Sequence, residues 1–221
     1  MRRGFFVTGT DTGVGKTVVS AILSTGLGAS YWKPVQTGVG PGREESDSTF
    51  VSQWDIPVHP EAYIFPDPLS PHAAAQIAGQ EISLTKILAI RPAASPLVVE
   101  GAGGVMVPLN SRDFILDLIE CMEIPVILVT RSTLGTINHT LLSLNALRGR
   151  GIPVAGVVIC GPPDSTNRAA IANYGDVEIL GEVSPCRQFS RAWMQAEFNR
   201  FSFSKNIMLR NQLSSPFGDL Q

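Results

Sequence analysis

A chain of 221 residues, 44% of them apolar, can bury one sizeable core, so a single domain over 1–221 is expected. A formal net charge of -2 and a pI near 5.9 argue against nucleic acid as a bulk electrostatic partner. No apolar run reaches the ~20 residues that span a bilayer, and the short apolar run after Arg3 is no signal peptide. Cys121, Cys160 and Cys186 are too widely spaced to suggest a metal site and fit reduced thiols in the cytoplasm.

The first predicted element is a buried strand, Gly4-Phe5-Phe6-Val7. It runs into Val7-Thr8-Gly9-Thr10-Asp11-Thr12-Gly13-Val14-Gly15-Lys16-Thr17, and a helix opens at Val18–Leu23. A strand, a glycine-rich turn and Gly-Lys-Thr at a helix start form the context of a phosphate-binding loop. The strict spacing puts glycine at Thr10, whereas here it falls at Gly9. Gly13 and Gly15 allow close backbone approach and conformations that a Cβ would block. The first helical amides lack intrahelical partners, and the helix dipole adds positive potential. Lys16 supplies a charge for the β/γ-phosphates, and the Thr17 hydroxyl suits Mg²⁺.

Tyr31-Trp32-Lys33-Pro34-Val35 reads as the second strand and its exit, and Lys33 as a second cation near the phosphates. Gln36 to Ser46 is a glycine-rich loop that is mobile or wraps a ligand. A short helix is expected over Asp47–Trp54, starting near Ser46 or Asp47. Pro57 to Pro71 reads as proline-rich connection, followed by helical patterns at His72–Ala78 and Ser83–Ile90. Leu97-Val98-Val99-Glu100 is an apolar strand ending in an acid, then Gly101-Ala102-Gly103-Gly104. Asp113–Glu123 is an amphipathic helix, with Ile115, Leu118, Ile119 and Met122 on one face. Buried strands follow at 125–129 and Val154–Cys160, with a helix at Thr136–Arg148 between them. A helix at Asn167–Tyr174 and a last strand at Glu178–Val183 complete the pattern.

Alternating apolar strands and helices imply α/β architecture, a parallel sheet covered on both faces. Ligands in such sheets bind beyond the strands' carboxyl ends. Residues 8–17, 33–37, 100–104 and 130–135 are therefore expected to converge on one crevice. Asp47 and Glu100 are the candidate Mg²⁺ acids, since that ion takes one or two carboxylates plus phosphates and waters. Taken alone, Asp47 reads as a helix N-cap rather than a metal ligand. The segment 187–221 is basic, and Trp193, Phe198, Phe201 and Phe203 suffice to pack a terminal helix on the domain, with Ser214 to Gln221 frayed.

The loop motif recurs here in series with Lys33-Pro34-Val35, Thr37-Gly38, Ser46-Asp47, Ser70-Pro71-His72, Val99–Gly104 and Leu134-Gly135-Thr136-Ile137-Asn138-His139. In that order and spacing the chain resembles the dethiobiotin synthetases, ATP-dependent carboxylases that close the ureido ring in biotin synthesis, from about Phe5 to Val183. The resemblance implies a P-loop fold with about seven parallel strands, a cytoplasmic homodimer, and 7,8-diaminononanoate, CO₂ and ATP as substrates. It assigns catalysis to Lys16 and Lys33, and Mg²⁺ binding to Thr17, Asp47 and Glu100. Nucleotide contacts fall on Gly13, Val14, Gly15, Lys16, Thr17, Val18, Asp47, Glu100, Gly101, Ala102, Gly103, Cys160, Gly161, Ser184, Pro185 and Cys186. Substrate contacts fall on Thr12 and Thr37, and on the helix start Gly135, Thr136, Ile137 and Asn138 of the other subunit. Three positions depart from better-known members. Gly13 replaces an acid, Thr133 a lysine found in some members, and Cys160 an asparagine that reads the adenine edge. A thiol cannot present an amide's paired donor and acceptor.

The rival readings are a partition- or septum-type P-loop ATPase, a cobyrinate-type amide-transferring synthetase, and a non-catalytic nucleotide-binding module. The first carries a second lysine early in the loop, where this chain has Asp11. The second normally brings a glutaminase domain, and the third gives Lys33, Thr37 and Glu100 no reason to converge.

Overall fold

Alternation of large apolar side chains along the central strands decides the layers. The computed structural model describes residues 3–40 and 45–203. In β1 (Gly4–Gly9), Phe5 and Val7 join one apolar cluster and Phe6 joins the other. In β6 (Leu97–Gly104), Val98 faces the first cluster and Leu97 and Val99 the second. A strand buried on both faces needs helices on both faces. The first face is covered by α1 (Lys16–Leu27), α2 (Asp47–Ser52) and α8 (Arg191–Asn199). The second is covered by α3 (Pro71–Ile77), α4 (Leu84–Ala89), α5 (Ile115–Met122), α6 (Thr136–Gly149) and α7 (Ser165–Gly175).

The main sheet adds β2 (Ser30–Trp32), β4 (Val58–His59), β7 (Val126–Arg131), β8 (Val154–Cys160) and β9 (Ile179–Val183). Its seven strands run in the order β4-β2-β6-β1-β7-β8-β9, and every neighbouring pair is parallel. The α/β class, the parallel sheet and its doubly covered faces are those expected from the alternation of elements. All carboxyl ends consequently open on the same edge.

Four readings of the chain need correction. The second strand stops at Trp32, because Lys33 turns into the crevice. Val35–Thr37 forms a separate strand, β3, paired in parallel with β5 (Tyr63–Phe65). The proline-rich stretch 57–71 is therefore not mere connection, since it contains β4 and β5. The strand β6 does not end at Glu100 but continues through the glycines to Gly104, with Gly9 opposite Gly104. The cap of α2 is Ser46, whose hydroxyl accepts the Thr49 N–H at 3.0 Å, so Asp47 is released for other work. Among the described residues of the tail, 187–203, the helix is α8. Phe198 lies over Gly26 of α1, where an added Cβ would sit 2.0 Å from the ring. The expected fraying at Ser214–Gln221, and part of the Gln36–Ser46 loop, lie outside the described residues.

Candidate active site

The phosphate loop is built by glycine at the positions where the backbone demands it. Gly13 and Gly15 have φ of 70° and 100°. Gly15 is further constrained, because a Cβ there would meet the Cys160 sulfur at 2.9 Å. Lys16 begins α1 and curls back over the loop, its Nζ donating to the Asp11 carbonyl at 2.9 Å. Burial drops its pKa to about 8; Glu100 opposes that fall and the Lys33 cation reinforces it. In this state the ammonium rests on a backbone oxygen that a phosphate oxygen can replace.

Lys33 stands where β2 releases the chain, and its ammonium is buried between two acids. It lies 2.5 Å from Asp47 Oδ2 and 2.9 Å from Glu100 Oε1. Burial pulls the Lys33 pKa down, but the Glu100 and Asp47 carboxylates outweigh it and hold it above the ordinary lysine value. The Glu100 carboxylate is fully enclosed. Its Oε1 also accepts the Thr17 hydroxyl at 3.0 Å, and its Oε2 accepts the Tyr31 phenol at 2.9 Å. Asp47 is aimed by its own backbone, whose N–H donates to Gln36 Oε1 at 3.2 Å.

A cavity of about 890 Å³ opens above these groups. Thr12, Gly13, Gly15, Lys16, Thr17, Val18, Lys33, Thr37, Asp47, Glu100, Ala102 and Gly103 all line it. Val14 and Gly101 do not; Val14 is buried, and Gly101 packs near Phe6 and Ile115. Cys160 ends β8 and touches the loop at Gly15 from outside that cavity. Burial raises its pKa to about 12, so it remains a thiol. Gly161 donates its N–H to the Val183 carbonyl, which places Ser184, Pro185 and Cys186 beside it at the neighbouring strand end. Gly135, Thr136, Ile137 and Asn138 open α6 and also lie off the cavity. Their link to the loop is a hydroxyl chain from Thr10 through Thr130 to Thr136.

Sequence reasoning missed several wall and support residues. Ser70 and Pro71 line the cavity, although their motif had been given no role. Arg131 pairs with the Asp11 carboxylate, whose other oxygen accepts the Thr12 N–H at 2.7 Å. Tyr31 and Gln36 read as ordinary strand and loop positions. The strand register brings Tyr31 to Glu100, and the Asp47 N–H donating to Gln36 Oε1 brings Gln36 to Asp47.

A phosphate-binding loop on a parallel sheet, with two buried lysines and two carboxylates at its carboxyl edge, defines a P-loop nucleotide-binding α/β protein. Two solved structures share that fold. A putative plasmid partition protein from Borrelia burgdorferi matches at TM-score 0.59 and 11% identity, covering 95% of this chain and 99% of that one. A ParA family ATPase from Chlorobium tepidum matches at 0.52 and 13%, covering 97% and 95%. The family model described as an AAA domain matches residues 3–192. Sequence relatives are much nearer. The ATP-dependent dethiobiotin synthetases of Paramagnetospirillum magneticum and Lawsonia intracellularis are each 48% identical, over 83% and 80% of this chain and 88% and 86% of theirs. A bifunctional biotin biosynthesis protein of Bordetella avium is 50% identical over 82% of this chain, which spans only 39% of that longer protein. The chain belongs to the ATP-dependent dethiobiotin synthetase family.

Proposed function

We propose that the chain converts 7,8-diaminononanoate, CO₂ and ATP to dethiobiotin, ADP and phosphate. One amine adds to CO₂ and loses a proton, giving a carbamate. A carbamate oxygen attacks the γ-phosphorus, expelling ADP and leaving a carbamic–phosphoric anhydride. The second amine attacks the anhydride's carbonyl carbon, and phosphate departs as the ring closes. The observation that carries this reading is the convergence of Lys16 and Lys33 on one cavity. Both cations stand where charge develops on a transferring phosphoryl group, and preorganised charge is the main catalytic device for such transfer.

The residues fit a magnesium ion. Thr17, Asp47 and Glu100 offer one hydroxyl and two carboxylates, an all-oxygen set that leaves room for phosphates and water. Among the described residues no cluster of three His, Cys, Asp or Glu side chains could hold a metal, which suits an ion carried in largely by the nucleotide. When bound, Mg²⁺ supplies charge neutralisation at the β/γ-phosphates. Lys33, which lines the same cavity, would face the carbamate and the γ-phosphate. Thr12 and Thr37, both lining the cavity, hold the diamine end. Gly13–Val18 cradle the phosphates with Ala102 and Gly103, while Cys160, Gly161 and Ser184–Cys186 flank the base.

A homodimer supports the rest of the substrate site. The start of α6 lies outside its own chain's cavity, and the adjacent Leu134 is fully exposed. Offered by a second copy, the first amides of α6 would hold the substrate carboxylate. Among the described residues no helix is long and apolar enough to cross a membrane, and the three cysteines are free thiols, which supports a cytoplasmic setting. A partition-type switch is disfavoured because Asp11 is engaged by Arg131 rather than replaced by a lysine. The test is ADP release with and without the diamine and bicarbonate. The synthetase reading expects release to require both, whereas steady hydrolysis without either favours the switch.

A further inference from the structure

We propose that Tyr31 is the positioning residue of the site: its phenol fixes the rotation of the Glu100 carboxylate so that Oε1 faces Thr17, Lys33 and the metal position. The argument begins in the sheet. Tyr31 of β2 lies opposite Val98 of β6, so Glu100 is its diagonal neighbour two residues on, pointing to the same face. Such diagonals fall within reach of an aromatic side chain. Tyr31 is wholly buried, and its O–H donates to Glu100 Oε2 at 2.9 Å.

The partners of the two Glu100 oxygens differ in kind. Those of Oε1, Thr17 and Lys33, are the groups that must turn toward phosphate or metal when nucleotide arrives. The partner of Oε2 belongs to the framework and stays. The last torsion of a glutamate is broad and weakly restrained, so a carboxylate tethered only by mobile donors would swing.

This inference rests on the metal role proposed for Glu100, and its test needs no dethiobiotin formation. Binding of a non-hydrolysable ATP analogue is measured in Tyr31→Phe and wild type, across a Mg²⁺ titration and in chelator. Groups that orient a metal ligand typically contribute 10–100-fold to metal affinity. The Mg²⁺ concentration for half-maximal binding is therefore expected to rise at least ~10-fold, while metal-free affinity stays within ~2-fold. An unchanged Mg²⁺ requirement in folded Tyr31→Phe overturns the proposal, as does an equal loss with and without metal. Should Tyr31→Phe not fold, the double variant Tyr31→Phe/Glu100→Gln removes the buried carboxylate that has lost its Oε2 donor. Its Mg²⁺ requirement should match that of Glu100→Gln alone, and a further increase on top of that single variant overturns the claim. A wild type that binds Mg²⁺ and nucleotide yet makes no dethiobiotin defeats the activity reading alone.

Discussion

Replacing Lys33 by methionine keeps most of the side chain's volume and removes only its charge. Glu100, with no exposed side-chain surface, then retains the Thr17 and Tyr31 hydroxyls but no cation in contact, and Asp47, whose side chain is 30% exposed, falls back on solvent. Breaking a buried ion pair by deleting one partner costs about 3–5 kcal/mol. The partial exposure of Asp47 places this case near ~3 kcal/mol. For a domain of this size that corresponds to a fall in Tm of roughly 6–12 °C. Turnover should drop at least ~10²-fold, the usual cost of removing one preorganised charge. The variant also carries an internal control. Mg²⁺ without nucleotide should restore part of the lost Tm, because the ion can enter between the two carboxylates, whereas wild type should respond little while Lys33 occupies that place. Thermal scans with and without Mg²⁺, alongside a dethiobiotin assay, check both parts. Near-normal turnover, or a Tm loss under about 2 °C, would refute the reasoning.

Lys16 sits near pH 8 in the ligand-free protein, and phosphate oxygens favour its ammonium. Nucleotide binding is therefore expected to take up protons between pH 8 and 9, measurable by calorimetry in buffers of different ionisation heat; Lys16→Met should abolish the uptake and lower turnover at least ~10²-fold. Gly26→Ala should destabilise by about 1–3 kcal/mol despite the better helix propensity of alanine, because the Cβ would drive into the Phe198 ring; an unchanged or raised Tm contradicts this. In the proposed mechanism the loop, Lys33 and Mg²⁺ would meet only the phosphate portion of the nucleotide, and the neutral Cys160 thiol is a poor reader of a base edge. The kcat/KM values for ATP, CTP, GTP and UTP should therefore lie within about 10³-fold, and a larger preference for ATP over every other base shows an edge-specific site.

Much of the crevice was legible because its local signals are strong. Gly15-Lys16-Thr17 after an apolar strand fixes loop, helix start and cation together, and an acid ending the Leu97–Glu100 run marks a carboxyl edge. Less legible was whatever depends on register or on short elements. The two-residue β4 and three-residue β5 carry too little periodicity to rise above their prolines. The strand β6 absorbs glycines that read as loop, because its parallel pairing with β1 runs on until Gly9 lies opposite Gly104. Ser46 and Asp47 are both good caps in isolation, and only the pull of Lys33 on Asp47 decides between them. Tyr31 reads as a core aromatic until the parallel pairing with Val98 brings its hydroxyl to Glu100.

The central claim is that a carbamate oxygen, not water, attacks the γ-phosphate. Single-turnover reaction with ¹³C,¹⁸O-labelled bicarbonate, the diamine and Mg·ATP tests it directly, with the products resolved by mass spectrometry before the label exchanges with solvent. The account predicts ¹³C in the ureido carbonyl of dethiobiotin, one ¹⁸O transferred to the released phosphate, and one ADP per ring closed. Phosphate free of ¹⁸O, or ADP formed without labelled product, would contradict it.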